Sequence, residues 1–235
     1  SLFDSLNKVN CALQVNSPTD FTPVEWNKNT PKLYRDFPLI GSEKFFLPLV
    51  LNGHNFYPNE ERKGLLIEDN ENSKVQENRR LLKEGIKLVM QIIENMPRNV
   101  TNKLYLLALS KIPLEAPESW YKEEIQIPFR QFLLNSSIVA SDTGLKKIQD
   151  SKFPKAGDKK ESNELFYDVV APYLGEEVLP FRSELNNWLK IIGNNYESWD
   201  FDLRYEIKDL IEAIEGYNLS EIELKDSSFS NTVWL

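Results

Sequence analysis

Apolar residues recur most regularly between residues 73 and 96. Val75, Leu82, Ile86, Val89, Ile93 and Met96 fall three, four or seven apart, and Leu81, Leu88 and Ile92 widen the stripe. That spacing predicts a helix that packs on more than one side. Ser73 is placed to cap its start and Pro97 to end it. A glycine inside a helix costs about 1 kcal/mol relative to alanine. Gly85 therefore predicts a close crossing with a neighbouring element.

Ahead of this helix the pattern is that of short strands. Cys11 to Val15 reads as one, Leu33-Tyr34 as another, and Phe45 to Leu51 as a third ending at the Asn52-Gly53 turn. Pro48 inside that run points to an edge or a bulge, because proline cannot donate to a sheet ladder. Leu65 to Ile67 reads as a further short strand. Trp26 is expected to anchor packing. Lys103 to Leu109 fits a strand or a short helix, and periodicity leaves both open.

Pro113, Pro117 and the polar residues between them read as a linker. They divide the chain into residues 1–112 and residues 113–235. Past them, Ile125 to Leu134 and Ile138-Val139 predict short elements around Pro128. Residues 150–163, rich in lysine and containing Gly157, predict an exposed loop. Three helices are expected near 162–173, 181–192 and 201–216. The last carries Leu203, Ile207, Leu210, Ile211 and Ile214 on one face and Gly216 as a stop. No internal repeat or low-complexity tract occurs. The fold class expected is α+β, with a smaller, mostly helical subdomain second.

Composition narrows the function. The chain has 235 residues, 41% of them hydrophobic, which is ample for a core. A formal charge of −8 argues against nucleic acid as a partner, and the short basic spot Lys146-Lys147 does not reverse it. The single cysteine, Cys11, excludes an internal disulfide and fits a reducing, cytoplasmic setting. The sequons at Asn99, Asn135 and Asn218 are then chance matches. No apolar run reaches the ~18 residues a membrane span requires. The start at Ser1-Leu2 reads as the interior of a longer polypeptide.

Catalytic constellations are sparse. His54 is the only histidine and sits beside a glycine turn, where a surface role is expected. The Cys11/His54 pair lacks a third, orienting group. One Cys and one His cannot build a zinc site. Gly41-Ser42-Glu43-Lys44 and Thr143-Gly144 lack the spacing of a phosphate loop. Glu68-Asp69-Asn70-Glu71, Glu123-Glu124 and Glu176-Glu177 read as solvated carboxylates. Arg62 follows a strand and a loop, a setting that suits a finger aimed at a phosphate held by another domain. A surface pairing with Glu60 or Glu61 is the plainer alternative.

The run Asp36 to Phe45, followed by Leu47-Pro48-Leu49-Val50-Leu51-Asn52-Gly53 and Asn59-Glu60-Glu61-Arg62, resembles the sacsin-like family. These are large chaperone-related proteins with an Hsp90-like (GHKL-type) ATP-binding domain. Looser echoes run through Ile138-Val139, Gly144, Phe153-Pro154, Leu179-Pro180 and Trp188 to Ile192. The resemblance implies a transducer-like sheet with covering helices, lying after an ATP-binding domain of the same polypeptide. It implies that Arg62, downstream of Leu47-Pro48-Leu49, reaches the γ-phosphate there, although the spacing between the two is longer than in Hsp90. The Asn/Glu-bearing helix and the Asp-x-Gly-x-Gly loop of the nucleotide site are absent. The implied role is therefore a non-catalytic middle segment with no cofactor of its own. ATP and Mg belong to the parent protein, and protein clients are the further partners. The alternative is a protein-interaction module of a bacterial regulatory or defence protein with no ATP-linked role. Its support is the acidic surface and the aromatic helices near Trp188 and Trp199, residues that read first as core. A stand-alone hydrolase built on Cys11 or the carboxylates is the third reading.

Overall fold

The structure, a computed structural model, describes residues 2–6, 9–45, 47–60, 64–68, 72–113, 116–175, 178–193, 199 and 203–216. It is a mixed α+β fold. The first half is built on a five-stranded sheet. Strands β1 (Leu2–Leu6) and β2 (Val9–Leu13) form a hairpin. β3 (Leu33–Arg35) and β4 (Phe37–Pro38) follow, and then β5 (Val50–Gly53). The order across the sheet is β1-β2-β5-β3-β4, with β3 parallel to β5 and the other pairs antiparallel.

Alternation along β2 turns Val9, Cys11 and Leu13 to one face, where they are buried. Helix α1 (Ser73–Glu94) packs on that face. Its amphipathic stripe is the one expected, but its cap is one residue earlier: the Asn72 side chain accepts from the Lys74 N–H at 2.9 Å. The glycine crossing is present. A Cβ on Gly85 would lie 2.7 Å from Leu51 Cδ1, so the helix approaches β5 more closely than any side chain there would allow.

Two strand expectations change. The run from Phe45 becomes a strand only at Val50, after a 3-10 turn at Ser42–Lys44. β5 sits in the middle of the sheet, and Pro48 has no N–H to give a ladder, so the chain stays irregular through Leu49. Burial is achieved instead with other partners. The Trp26 indole N–H donates to the Pro48 carbonyl at 3.0 Å, and the Ser42 hydroxyl takes the Lys32 and Leu33 amides at 3.1 and 3.0 Å. Leu65 forms a single bridge to Pro58 rather than a strand. The segment left open at Lys103 is helical: a 3-10 turn spans Leu104–Ala108, preceded by Lys103 in the left-handed region at φ 58°.

In the second half, α2 (Glu118–Tyr121) and α3 (Ile127–Asn135) are joined by a π turn at Lys122–Gln126. What the sequence presents as short elements is one helical run. Pro128 explains the irregularity. In a regular helix its ring presses on the carbonyl of residue 124 and its missing N–H leaves a gap. The π turn, closed by the Ile127 N–H on the Lys122 carbonyl, widens the helix just before it. A hairpin follows, β6 (Ser137–Ser141) and β7 (Gly144–Lys147).

The expected loop at 150–163 contains β8 (Phe153–Lys155), and its lysines flank a buried Phe153-Pro154 step. Helices α4 (Lys160–Leu174) and α5 (Leu185–Gly193) lie where expected. The helix expected from residue 201 begins only at 207. Arg204–Glu206 is β9, paired parallel with β8, and α6 covers Ile207–Gly216. Buried side chains on both sides of residues 113–117 belong to one apolar cluster running from Val9 to Leu203. Arg79, over the Trp120 ring at 4.7 Å, and the Lys83–Glu124 ion pair at 2.5 Å tie α1 to the second half. No helix among the described residues is long and apolar enough to cross a membrane.

Candidate functional site

Because β3 and β5 are parallel, the residues that follow them emerge at the same end of the sheet. There Asp36 and His54, distant in sequence, meet: His54 Nδ1 lies 2.5 Å from Asp36 Oδ1. Asp36 adopts φ 62°, a conformation that Asp tolerates better than most residues. Its N–H donates to Asn52 Oδ1 at 3.0 Å, and Arg35 Nε donates to the His54 carbonyl at 3.1 Å. Gly53 makes room for Phe56, whose fully buried ring plugs the turn from below; a Cβ at Gly53 would lie 2.9 Å from it. A shallow groove of about 310 Å³ opens on the sheet face turned away from α1, lined by Asn10, Tyr34, Asp36, Val50 and Asn52. Phe37, opposite Arg35 at the β3–β4 turn, is 48% exposed, and Ile40, past the far end of β4, is 69% exposed.

The loop that carries Arg62 leaves this same sheet end. Arg62, with Glu61 and Lys63, lies outside the described residues. The two sides of the loop base are described, and they are closely held. Pro58 bridges Leu65, the Asn59 N–H donates to the Gly64 carbonyl at 3.0 Å, and the Leu66 N–H donates to the Tyr57 carbonyl at 3.0 Å. Asn78, fully buried on α1, fastens both sides at once. Its Oδ1 accepts from the Tyr57 N–H at 2.8 Å, and its Nδ2 donates to the carbonyls of Tyr57 at 2.7 Å and Leu66 at 2.9 Å. Arg79 adds a bond to the Glu68 carbonyl at 2.8 Å. The base of the loop is therefore attached to the longest helix among the described residues.

The remaining candidates do not assemble. Cys11 is buried on the helix-facing side of β2, so its thiol is not presented to the exposed His54. Glu68 is exposed, Glu124 pairs with Lys83, and Asp69 to Glu71 and Glu176-Glu177 lie outside the described residues. Among the described residues no three Asp, Glu, His or Cys side chains are grouped to hold a metal ion. Trp188 and Trp199 are fully buried core residues.

Two buried basic side chains lie outside the motifs read from the sequence. Lys32 is nine-tenths buried with its ammonium 5.0 Å from the Trp26 ring centre; burial lowers its pKa to about 8, against a smaller opposing pull from Glu25. Arg130 is buried in α3, stacks on Trp199 at 4.6 Å and donates through Nε to Ser110 Oγ at 2.8 Å, and burial lowers its pKa to about 10. Gln126, on the π turn, donates to the Ser110 carbonyl at 2.6 Å. Pro128 was the one available clue to this cluster, since a proline inside a helical run marks a local irregularity.

Comparison with protein-family models, curated proteins and solved structures finds no match to this chain.

Proposed function

We propose that this chain is the non-catalytic middle segment of a sacsin/Hsp90-like ATPase, coupling an upstream nucleotide-binding domain to client or partner handling. The observation that carries the reading is the anchoring of the Arg62 loop. Asn78 fixes both sides of its base to α1, and Phe37 stands exposed at the β3–β4 turn of the same sheet end. A basic residue in a loop whose base is fixed suits reaching a phosphate held by a second domain. The helix-backed sheet is compatible with a transducer-like arrangement. In this reading ATP and Mg belong to the upstream domain, in keeping with the lack of a glycine-rich phosphate loop in the sequence, and the setting is the cytoplasm. The rival, an interaction module without ATP, draws no surface from Trp188 and Trp199, which are core.

Calorimetric titration of the chain with Mg-ATP tests the division of labour. No saturable binding is expected up to millimolar nucleotide, and micromolar binding would contradict the assignment.

A further inference from the structure

Helix α6 turns much of its apolar stripe to solvent. Ile207 and Ile211 are each 49% exposed, and Ile214 is 41% exposed. With the part-buried Leu210 they fall at offsets of 0, 3, 4 and 7, one face of a helix. The start of the helix is held in place. It follows β9, which pairs with β8, and the Glu206 N–H donates to Asp209 Oδ2 at 2.6 Å. Tyr205 of β9 stacks on Phe166 of α4, with ring centres 6.2 Å apart. An apolar face presented to water in a fixed orientation gains free energy when a partner covers it.

The pattern of α6 selects the partner. The spacing Ile-x-x-Leu-Ile-x-x-Ile is the same from either end. Two copies laid antiparallel about a two-fold axis therefore match: Ile207 meets Ile214 of the second copy, and Leu210 meets its Ile211. The charges obey the same symmetry. Lys208, Glu212 and Glu215, at offsets of 0, 4 and 7, line one flank of the stripe, and Asp209 and Ala213 lie toward the other. An antiparallel two-fold sets like flanks side by side, so Lys208 of each copy faces Glu212 and Glu215 of the other. In a parallel pair the flanks cross, and Lys208 faces only Asp209, whose carboxylate already takes the Glu206 N–H. The Lys208 side chain is 65% exposed, and its ion pair with Glu206 at 3.6 Å is a surface contact that is readily exchanged. One lysine against three carboxylates on α6 disfavours an anionic lipid surface as the cover.

We infer that α6 is a self-association surface. The stripe of Ile207, Leu210, Ile211 and Ile214 is covered by the same stripe of a second, antiparallel copy, with Lys208 paired across the two-fold to Glu212 and Glu215. The 10 residues of the helix span about 15 Å. That is too short to bury the roughly 800 Å² per partner of a stable complex, so the dimer is weak and forms at high local concentration.

Sedimentation equilibrium on the full chain tests this. A reversible monomer–dimer equilibrium is expected, with Kd between about 10 μM and about 1 mM. Ile211→Glu, at a half-exposed position, sets a charge in the centre of the seam and should raise Kd by about tenfold or more. Lys208→Glu leaves the stripe intact and should raise it by about fivefold or more. Adding Glu212→Lys and Glu215→Lys to Lys208→Glu reverses every cross-pair at once and should return Kd to within about twofold of wild type. Circular dichroism checks that each variant keeps its fold. A chain that stays monomeric up to about 1 mM overturns the inference, and the stripe is then covered within its own chain or by a different protein. Association that Ile211→Glu leaves unchanged, or that the triple charge reversal fails to restore, overturns it as well.

Discussion

Asn78→Ala is expected to destabilise the chain by about 3 kcal/mol or more, as three buried hydrogen bonds disappear together. The lost bonds are those to the Tyr57 N–H, the Tyr57 carbonyl and the Leu66 carbonyl. The substitution leaves these backbone groups in place beneath α1 with no replacement partner, so the cost is their desolvation as well as the bonds. No other side chain serves. The site requires one acceptor and two donors on a short stem, which asparagine supplies and aspartate does not. Asn78→Asp should therefore be at least as damaging, because it aims a buried carboxylate at two carbonyl oxygens. Urea unfolding followed by circular dichroism measures both variants. Midpoints within experimental error of wild type would show that the loop base does not depend on Asn78.

Trp188 governs the second half in the same way that Asn78 governs the loop. It is fully buried on α5, with Phe153 of β8 at 5.5 Å and Tyr105 of the 3-10 turn at 6.4 Å between ring centres. Removing a side chain of that size from a packed interior costs about 3–5 kcal/mol. Trp188→Ala should approach that figure, since the two rings beside it come from separate elements and cannot both close the gap. The indole N–H has no hydrogen-bond partner. Trp188→Phe thus relieves a buried unsatisfied donor while keeping most of the volume, and should cost less than about 1.5 kcal/mol. The order Ala far below Phe, read from urea midpoints, is the diagnostic result. Equal losses would show that the N–H has a partner or that the packing is loose.

What the sequence makes legible follows from range. Helix α1 is readable because its 3.6-residue repeat runs for six turns, and Gly85 even announces the contact with Leu51. Helix α4 is readable for the same reason. The parallel pair β8 and β9 is not, since each strand is three residues long and its partner lies some fifty residues away. Lysines around Phe153 masked the first strand, and the residues of the second, placed directly before α6, were absorbed into that helix's repeat. The onset of β5 is not legible because apolar content reports burial, whereas a strand also needs free amides, which Pro48 withholds. For the site, Arg62 came from a local run of residues. The Asp36–His54 contact depends on the parallel pairing of β3 with β5, which no local run of residues announces.

The proposed coupling role rests on Arg62 acting on a nucleotide held by another domain. The most direct measurement is steady-state ATP turnover of the parent polypeptide, carrying the nucleotide-binding domain together with this chain, before and after Arg62→Ala. A residue acting only on the transition state lowers kcat with KM little changed. The account predicts a fall in kcat of about tenfold or more, with the KM for ATP within about twofold. An unchanged kcat would contradict it.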